Sequence, residues 1–134
     1  MVELPNGTLL VNVRNEMHYH CKCRVWLTSY DGGDTFPIRN MRTDSTLVDP
    51  PCQGSTFIHS DGTMYFSNPA SGSQRVNMTL RWSQDFGRTW DGFLTVYAKQ
   101  AEYSCLTQID ENHMGLLYER DGYGDIAFAR IKLN

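Results

Sequence analysis

Apolar and polar positions alternate with a period of two along most of this chain. Val76, Met78, Leu80 and Trp82 fall on one face of an extended segment, and Arg75, Asn77, Thr79 and Arg81 on the other. Leu9, Val11 and Val13 share a face in the same way. The pattern predicts strands over residues 9–14, 24–28, 56–58, 63–67, 76–82, 104–109, 114–119 and 126–131, with an irregular loop running through Asp49-Pro50-Pro51. No stretch carries helical periodicity.

The strands are punctuated by two kinds of repeated turn. Ser29-Tyr30-Asp31-Gly32-Gly33-Asp34-Thr35-Phe36 and Ser83-Gln84-Asp85-Phe86-Gly87-Arg88-Thr89-Trp90 both fit Ser-x-Asp-x-Gly-x-Thr-aromatic. The Ser and Asp side chains suit a tight turn because they hydrogen-bond its backbone, and the glycine supplies the backbone freedom. A second motif, Leu4-Pro5-Asn6-Gly7-Thr8 followed by Leu9-Leu10-Val11, recurs as His59-Ser60-Asp61-Gly62-Thr63 followed by Met64-Tyr65-Phe66, with a decayed third copy from Ile109 to Tyr118. Gly7 and Gly62 lie 55 positions apart, and Ser29 and Ser83 lie 54 apart. Two independent signals share one period near fifty residues, which together with hairpin turns and short strands means propeller blades. Each repeat reads turn, strand, strand, Ser/Asp turn, strand. The chain therefore holds about three blades of an all-β propeller, and because propellers have about four or more, residues 1–134 are read as part of a larger one.

Composition narrows the function classes. A net charge of −3, with no basic run, excludes a nucleic-acid surface. Nine of the 12 cationic residues are arginine, which suits recognition of planar carboxylates. Asn6-Gly7-Thr8 and Asn77-Met78-Thr79 are glycosylation sequons, yet no signal peptide opens the chain. Four cysteines allow three pairings. Cys21 and Cys23 lie two apart in a strand-like run, so both would point to one face, badly placed to bond each other. At least two of the four are expected to be reduced. His18, His20, Cys21 and Cys23 lack the spacing and the second ligand pair of a zinc site. No metal or cofactor is expected.

The Ser/Asp turns resemble the Asp-box of the sialidases. Val11-Asn12-Val13-Arg14-Asn15, Tyr19-His20-Cys21-Lys22-Cys23-Arg24, Leu47-Val48-Asp49-Pro50, Phe66-Ser67-Asn68-Pro69, Arg75 to Ser83, Tyr103-Ser104-Cys105-Leu106 and Gly115 to Glu119 are similar, in order, to the C-terminal part of animal lysosomal-type exo-α-sialidases. The resemblance implies a partial six-bladed propeller that removes terminal sialic acid from glycoproteins, oligosaccharides and gangliosides. It also implies a lysosomal setting, lumenal or membrane-associated, with a lysosomal protective carboxypeptidase as a partner. Open blade edges add self-association.

The chemistry behind such residues is specific. Sialic acid carries a carboxylate on its anomeric carbon, and convergent arginines can clamp it bidentately. Arg14 and Arg75 resemble the second and third arginines of the family's triad. The substrate's carboxylate would repel a carboxylate nucleophile, so a tyrosine attacks instead. Tyr103 resembles that tyrosine. Its phenol, with an ordinary pKa of about 10, needs a neighbouring carboxylate as proton acceptor. The acceptor Glu, the general-acid Asp and the first arginine have no counterpart here, and Glu3 matches a different, turn-proximal Glu. Glu119 resembles the carboxylate that orients the missing first arginine. Asp31 and Asp85 belong to outer turns, where they hold the turn. The competing reading is a non-catalytic Asp-box propeller that binds sialic acid or serves as a scaffold.

Overall fold

A computed structural model describes residues 1–133. The chain is all-β: among the described residues the one helical element is a single 3-10 turn, Ile38–Asn40. The first blade contains β1 (Val2–Glu3), β2 (Leu9–Val13), β3 (Cys23–Ser29) and β4 (Arg42–Val48), antiparallel in that order. The next strands are β5 (Ser55–Ile58), β6 (Met64–Pro69), β7 (Val76–Ser83), β8 (Gly92–Asp110), β9 (His113–Arg120) and β10 (Asp125–Lys132). They form one hydrogen-bonded series because β8 serves two blades. Its first half pairs with β7 as the outer strand of the second blade. Its second half pairs with β9 as the inner strand of the third. The register shifts between Ala101 and Ser104, where the strand passes from one blade to the next.

The order of elements within a repeat is the one the sequence predicts. The Leu4–Thr8 and His59–Thr63 turns join the first and second strands of their blades, and the two Asp-boxes join the third and fourth. Three expectations are corrected. Residues 42–48, read as loop, form β4. Arg42 and Asp44 face the blade interior, where Arg42 lies over the Trp26 ring and Asp44 accepts from the Trp26 indole at 3.2 Å. The alternation along 75–82 is interrupted. Asn77 sits at φ 62°, the pairing shifts on either side of Met78, and Met78, Thr79 and Leu80 are all buried. Cys21 and Cys23 form a disulfide. They do not share a regular strand: His18 and His20 adopt left-handed backbone (φ 50° and 59°), β3 begins only at Cys23, and the Cα atoms approach to 5.2 Å. Cys52 and Cys105 are free.

Two apolar layers hold the blades together. Leu10, Trp26 and Leu47 of the first blade pack on Met64 and Phe66 of the second. The opposite face of the second blade, with Tyr65, Met78 and Leu80, packs on Leu106, Met114, Leu116 and Tyr118 of the third. Successive side chains of a strand point to opposite faces, so β6 feeds both layers from adjacent residues.

Candidate functional site

The passage of β8 between blades places Tyr103 at the start of an inner strand, 41% exposed. The bulge there leaves its backbone N–H outside the strand ladder, and that N–H donates to Glu119 Oε2 of β9 at 3.1 Å. The Arg75 guanidinium, at the entrance to β7, lies over the Tyr103 ring at 5.7 Å. Three of the four residues singled out by sequence thus converge, from β8, β9 and the residue that precedes β7. Tyr103 and Glu119 line an open concavity whose wall includes Gln53, Cys105 and Leu117.

Arg75 is held from two sides. Nη1 donates to the Tyr123 hydroxyl at 2.6 Å, and Nη2 to the Pro51 carbonyl at 3.2 Å. Burial works against its charge, but the neighbouring Cys52, Tyr123 and Tyr103 groups outweigh that and hold the guanidinium above its ordinary pKa. Arg14 lies just past the end of β2, exposed, and pairs with Glu16 at 3.1 Å. Among the described residues it has no bond to Arg75, Tyr103 or Glu119; the nearby Arg24 guanidinium is 2% exposed and ion-paired to the fully buried Asp49 at 3.1 Å. Burial lowers the Arg24 pKa, Asp49 opposes that, and the like charge of Arg14 adds to the lowering.

Sequence reasoning missed the strap that joins these groups. Residues 49–53, read as irregular loop, hold Arg75 directly and bond the chain neighbours of Arg14 and Tyr103. Asp49 accepts from the Asn15 N–H at 3.0 Å and from Arg24. Pro51 holds Arg75, and the Cys52 carbonyl accepts from Arg24 Nη1. The Cys52 thiol donates to the Glu102 carbonyl at 3.5 Å; burial pushes it up to about 11, so it keeps its proton. Gln53 brackets Ser104, accepting from its N–H at 2.9 Å and donating to its carbonyl at 3.0 Å. The signal was the pair of prolines between two strands, which fixes φ and suits a rigid connector as well as a loose one. Tyr123, in a turn after β9 with φ 65°, offered no local signal for its bond to an arginine 48 residues away. Glu102, beside Tyr103, is 1% exposed, and neither carboxylate oxygen finds a partner among the described residues.

Chemically, a half-exposed phenol beside a fixed guanidinium suits an anionic ligand with a planar carboxylate. The Glu119 carboxylate bonds the Tyr103 N–H rather than its hydroxyl.

Residues 1–118 match the family model described as BNR repeat-like domain. The chain belongs to the BNR repeat-like domain family. Within it, the relatives are sialidases. The chain is 32% identical over 143 residues to a sialidase of Micromonospora viridifaciens, covering 98% of this chain and 21% of that protein. It is 34% identical over 143 residues to a sialidase of Bacteroides fragilis, covering 99% and 25%. Among solved structures, Hadza microbial sialidase Hz136 superposes with TM-score 0.78 at 31% identity, over 95% of this chain and 25% of that one. NanB sialidase from Streptococcus pneumoniae superposes with TM-score 0.83 over the whole chain at 20% identity, which speaks to fold alone. This BNR chain is therefore a partial sialidase β-propeller, spanning about a fifth to a quarter of the length of the relatives named. Those two relatives are bacterial, not of the animal lysosomal type that the sequence stretches resemble.

Proposed function

We propose that this chain carries the tyrosine and two arginines of an exo-α-sialidase site. It would act on terminal sialic acid of glycoproteins, oligosaccharides or gangliosides. Arg75 and Arg14 bind the sugar carboxylate, and Tyr103 attacks the anomeric carbon to give a tyrosyl intermediate with overall retention. Glu119 holds the Tyr103 backbone and would orient the first arginine of the triad, which has no counterpart in these residues. The observation that carries the reading is the convergence of three side chains: the Arg75 guanidinium lies 5.7 Å from the Tyr103 ring, Glu119 accepts from the Tyr103 N–H, and Tyr103 and Glu119 line one open concavity. Sialidase relatives along the whole chain support it. The lysosomal setting and the protective carboxypeptidase partner belong to the same proposal and rest on the sequence stretches around Arg14, Arg24 and Tyr103.

A second reading is favoured by one observation. Glu119 spends its bond on the Tyr103 N–H, so among the described residues no carboxylate is bonded to the phenol to accept its proton. By itself the chain then binds sialic acid without turning it over. Calorimetric titration with N-acetylneuraminic acid, beside a fluorogenic α-sialoside assay, separates the readings. Binding lost about tenfold or more in Arg75→Ala, without hydrolysis, is the expected result. Equal binding by wild type, Arg14→Ala and Arg75→Ala removes both arginines from the site.

A further inference from the structure

Neither the tyrosyl chemistry nor the arginine clamp accounts for Tyr123. It lies in the turn between β9 and β10, where Asp121, Gly122 and Tyr123 follow one another in left-handed backbone (φ 54°, 69° and 65°). That conformation is ordinary for glycine and costly for a bulky aromatic, so it persists only where the surroundings impose it. Ring burial does not offset the cost, because Tyr123 is 57% exposed. The one hydrogen bond its side chain makes among the described residues is the 2.6 Å bond accepted from Arg75 Nη1. The turn itself is held firmly. The Asp121 N–H donates to the Gln100 carbonyl at 3.0 Å, and the Tyr97 hydroxyl donates to Asp121 Oδ1 at 2.6 Å. Both anchors belong to β8, the strand that carries Tyr103. A strained, anchored turn thus sets one exposed phenol against one guanidinium.

The direction of that bond decides what Tyr123 can do. A guanidinium only donates, so the phenol oxygen accepts and its own hydrogen stays free. The Tyr123 hydroxyl and the Pro51 carbonyl each take one N–H of Arg75, and its other N–H groups remain for a ligand. A carboxylate is an acceptor only and takes several donors at once. Seated on the free edge of Arg75, it therefore has a second, neutral donor beside it in the Tyr123 hydroxyl. The two tyrosines divide the work: Tyr103 meets Arg75 through its ring, at 5.7 Å, and Tyr123 through its oxygen. We propose, resting on the sialidase reading for the ligand, that Tyr123 belongs to the carboxylate subsite. Its oxygen holds the Arg75 guanidinium in place, and its hydroxyl hydrogen donates to the sugar carboxylate. Selectivity follows from the charge. A neutral sugar, or a carboxylate blocked as its methyl ester, offers the phenol and the guanidinium no anionic acceptor.

Titration of N-acetylneuraminic acid and of its methyl ester into wild type, Tyr123→Phe, Tyr123→Gly and Arg75→Ala tests this. The Arg75 side-chain Nε–H resonance is followed before ligand is added. Tyr123→Phe keeps the exposed ring and removes only the oxygen. It should shift the Arg75 resonance in the free protein, weaken the acid about fivefold or more and leave the weaker ester unchanged. Tyr123→Gly relieves the left-handed backbone. It should match or exceed the wild-type thermal midpoint while binding the acid no better than Tyr123→Phe. A residue with a structural role alone would do the opposite: stability would fall and affinity would stay. Wild-type binding that Arg75→Ala removes and Tyr123→Phe keeps overturns the assignment of Tyr123 and spares the sialidase reading. An equal loss for acid and ester overturns the assignment as well. A wild type that binds no N-acetylneuraminic acid overturns both.

Discussion

The two Asp-boxes are the same turn in two surroundings. In each, the serine hydroxyl donates to the aspartate and accepts from the glycine N–H, and the aspartate accepts from the threonine N–H and hydroxyl. These four bonds span 2.6–3.0 Å around Asp31 and 2.7–2.8 Å around Asp85. What differs is docking. The second box lies against the first blade: Trp90 donates its indole N–H to Asp44 at 3.0 Å, Arg42 donates to the Gly87 carbonyl at 2.7 Å, and Trp90 packs near Phe66. The first box has no such docking among the described residues, and Phe36 joins neither apolar layer. Docking also permits what local preference resists. Phe86 sits at φ 59° where the first box has Gly32 at φ 72°. Packing of its ring against the inter-blade layer offsets a left-handed strain of about 1–2 kcal/mol. The turn is thus written in eight residues, whereas its hold on the molecule is written in the neighbouring blade.

The sharpest way to break this comparison is to delete each terminal aromatic. Trp90→Ala should cost about 3 kcal/mol, because it opens the inter-blade layer and leaves Asp44 with one indole fewer. Phe36→Ala should cost less than about 1 kcal/mol. Urea midpoints at constant slope measure both, and equal losses would show that the boxes are docked alike. Asp44→Ala comes next, at about 2–3 kcal/mol. Its carboxylate accepts from the Trp26 and Trp90 indoles together, and both donors would be stranded. Smaller, and equal in the two boxes, is the loss in Ser29→Ala and Ser83→Ala, about 1 kcal/mol each. Unequal losses would mean that docking reaches into the turn itself.

The smallest effect is on pH. The hydroxyls of Ser29 and Thr35, with the Thr35 N–H, hold the Asp31 carboxyl down to about 2. Asp85 is held low as well: burial works against it, but the bonds from Thr89 and Ser83 outweigh that. A carboxyl lowered in the folded state stabilises fully above its unfolded value of about 3.9. That stabilisation is lost as pH falls through the folded value. The Thr35 amide resonance should therefore hold steady down to about pH 4 and move with a midpoint near 2. A midpoint near the free-aspartate value would show that the first box is open in solution.

How much of this was legible in the sequence follows the same division. The repeats, the blade order and both Asp-box turns could be read because their bonds run between residues two to four apart. The strand β4 could not. Arg42-Thr43-Asp44-Ser45-Thr46 is polar throughout, and it is a strand because tryptophans from two blades occupy its carboxylate. The Cys21–Cys23 bond depends on left-handed backbone at two histidines, a conformation no local pattern announces. At the site, Tyr103, Glu119 and Arg75 were reached through resemblance. The 49–53 strap and Tyr123 were not, because they act on the site through backbone carbonyls and a hydroxyl from distant turns.

The central proposal is that the surface around Arg75 and Tyr103, not the Asp-box turns, meets sialic acid. Titrating N-acetylneuraminic acid into isotopically labelled protein, and following backbone amides, tests it most directly. The account predicts saturable shifts at Tyr103, Ser104, Arg75 and Gln53, with Thr35 and Thr89 unmoved, and loss of those shifts in Arg75→Ala. Shifts confined to the Asp-box amides, or shifts around Tyr103 that persist in Arg75→Ala, would contradict it.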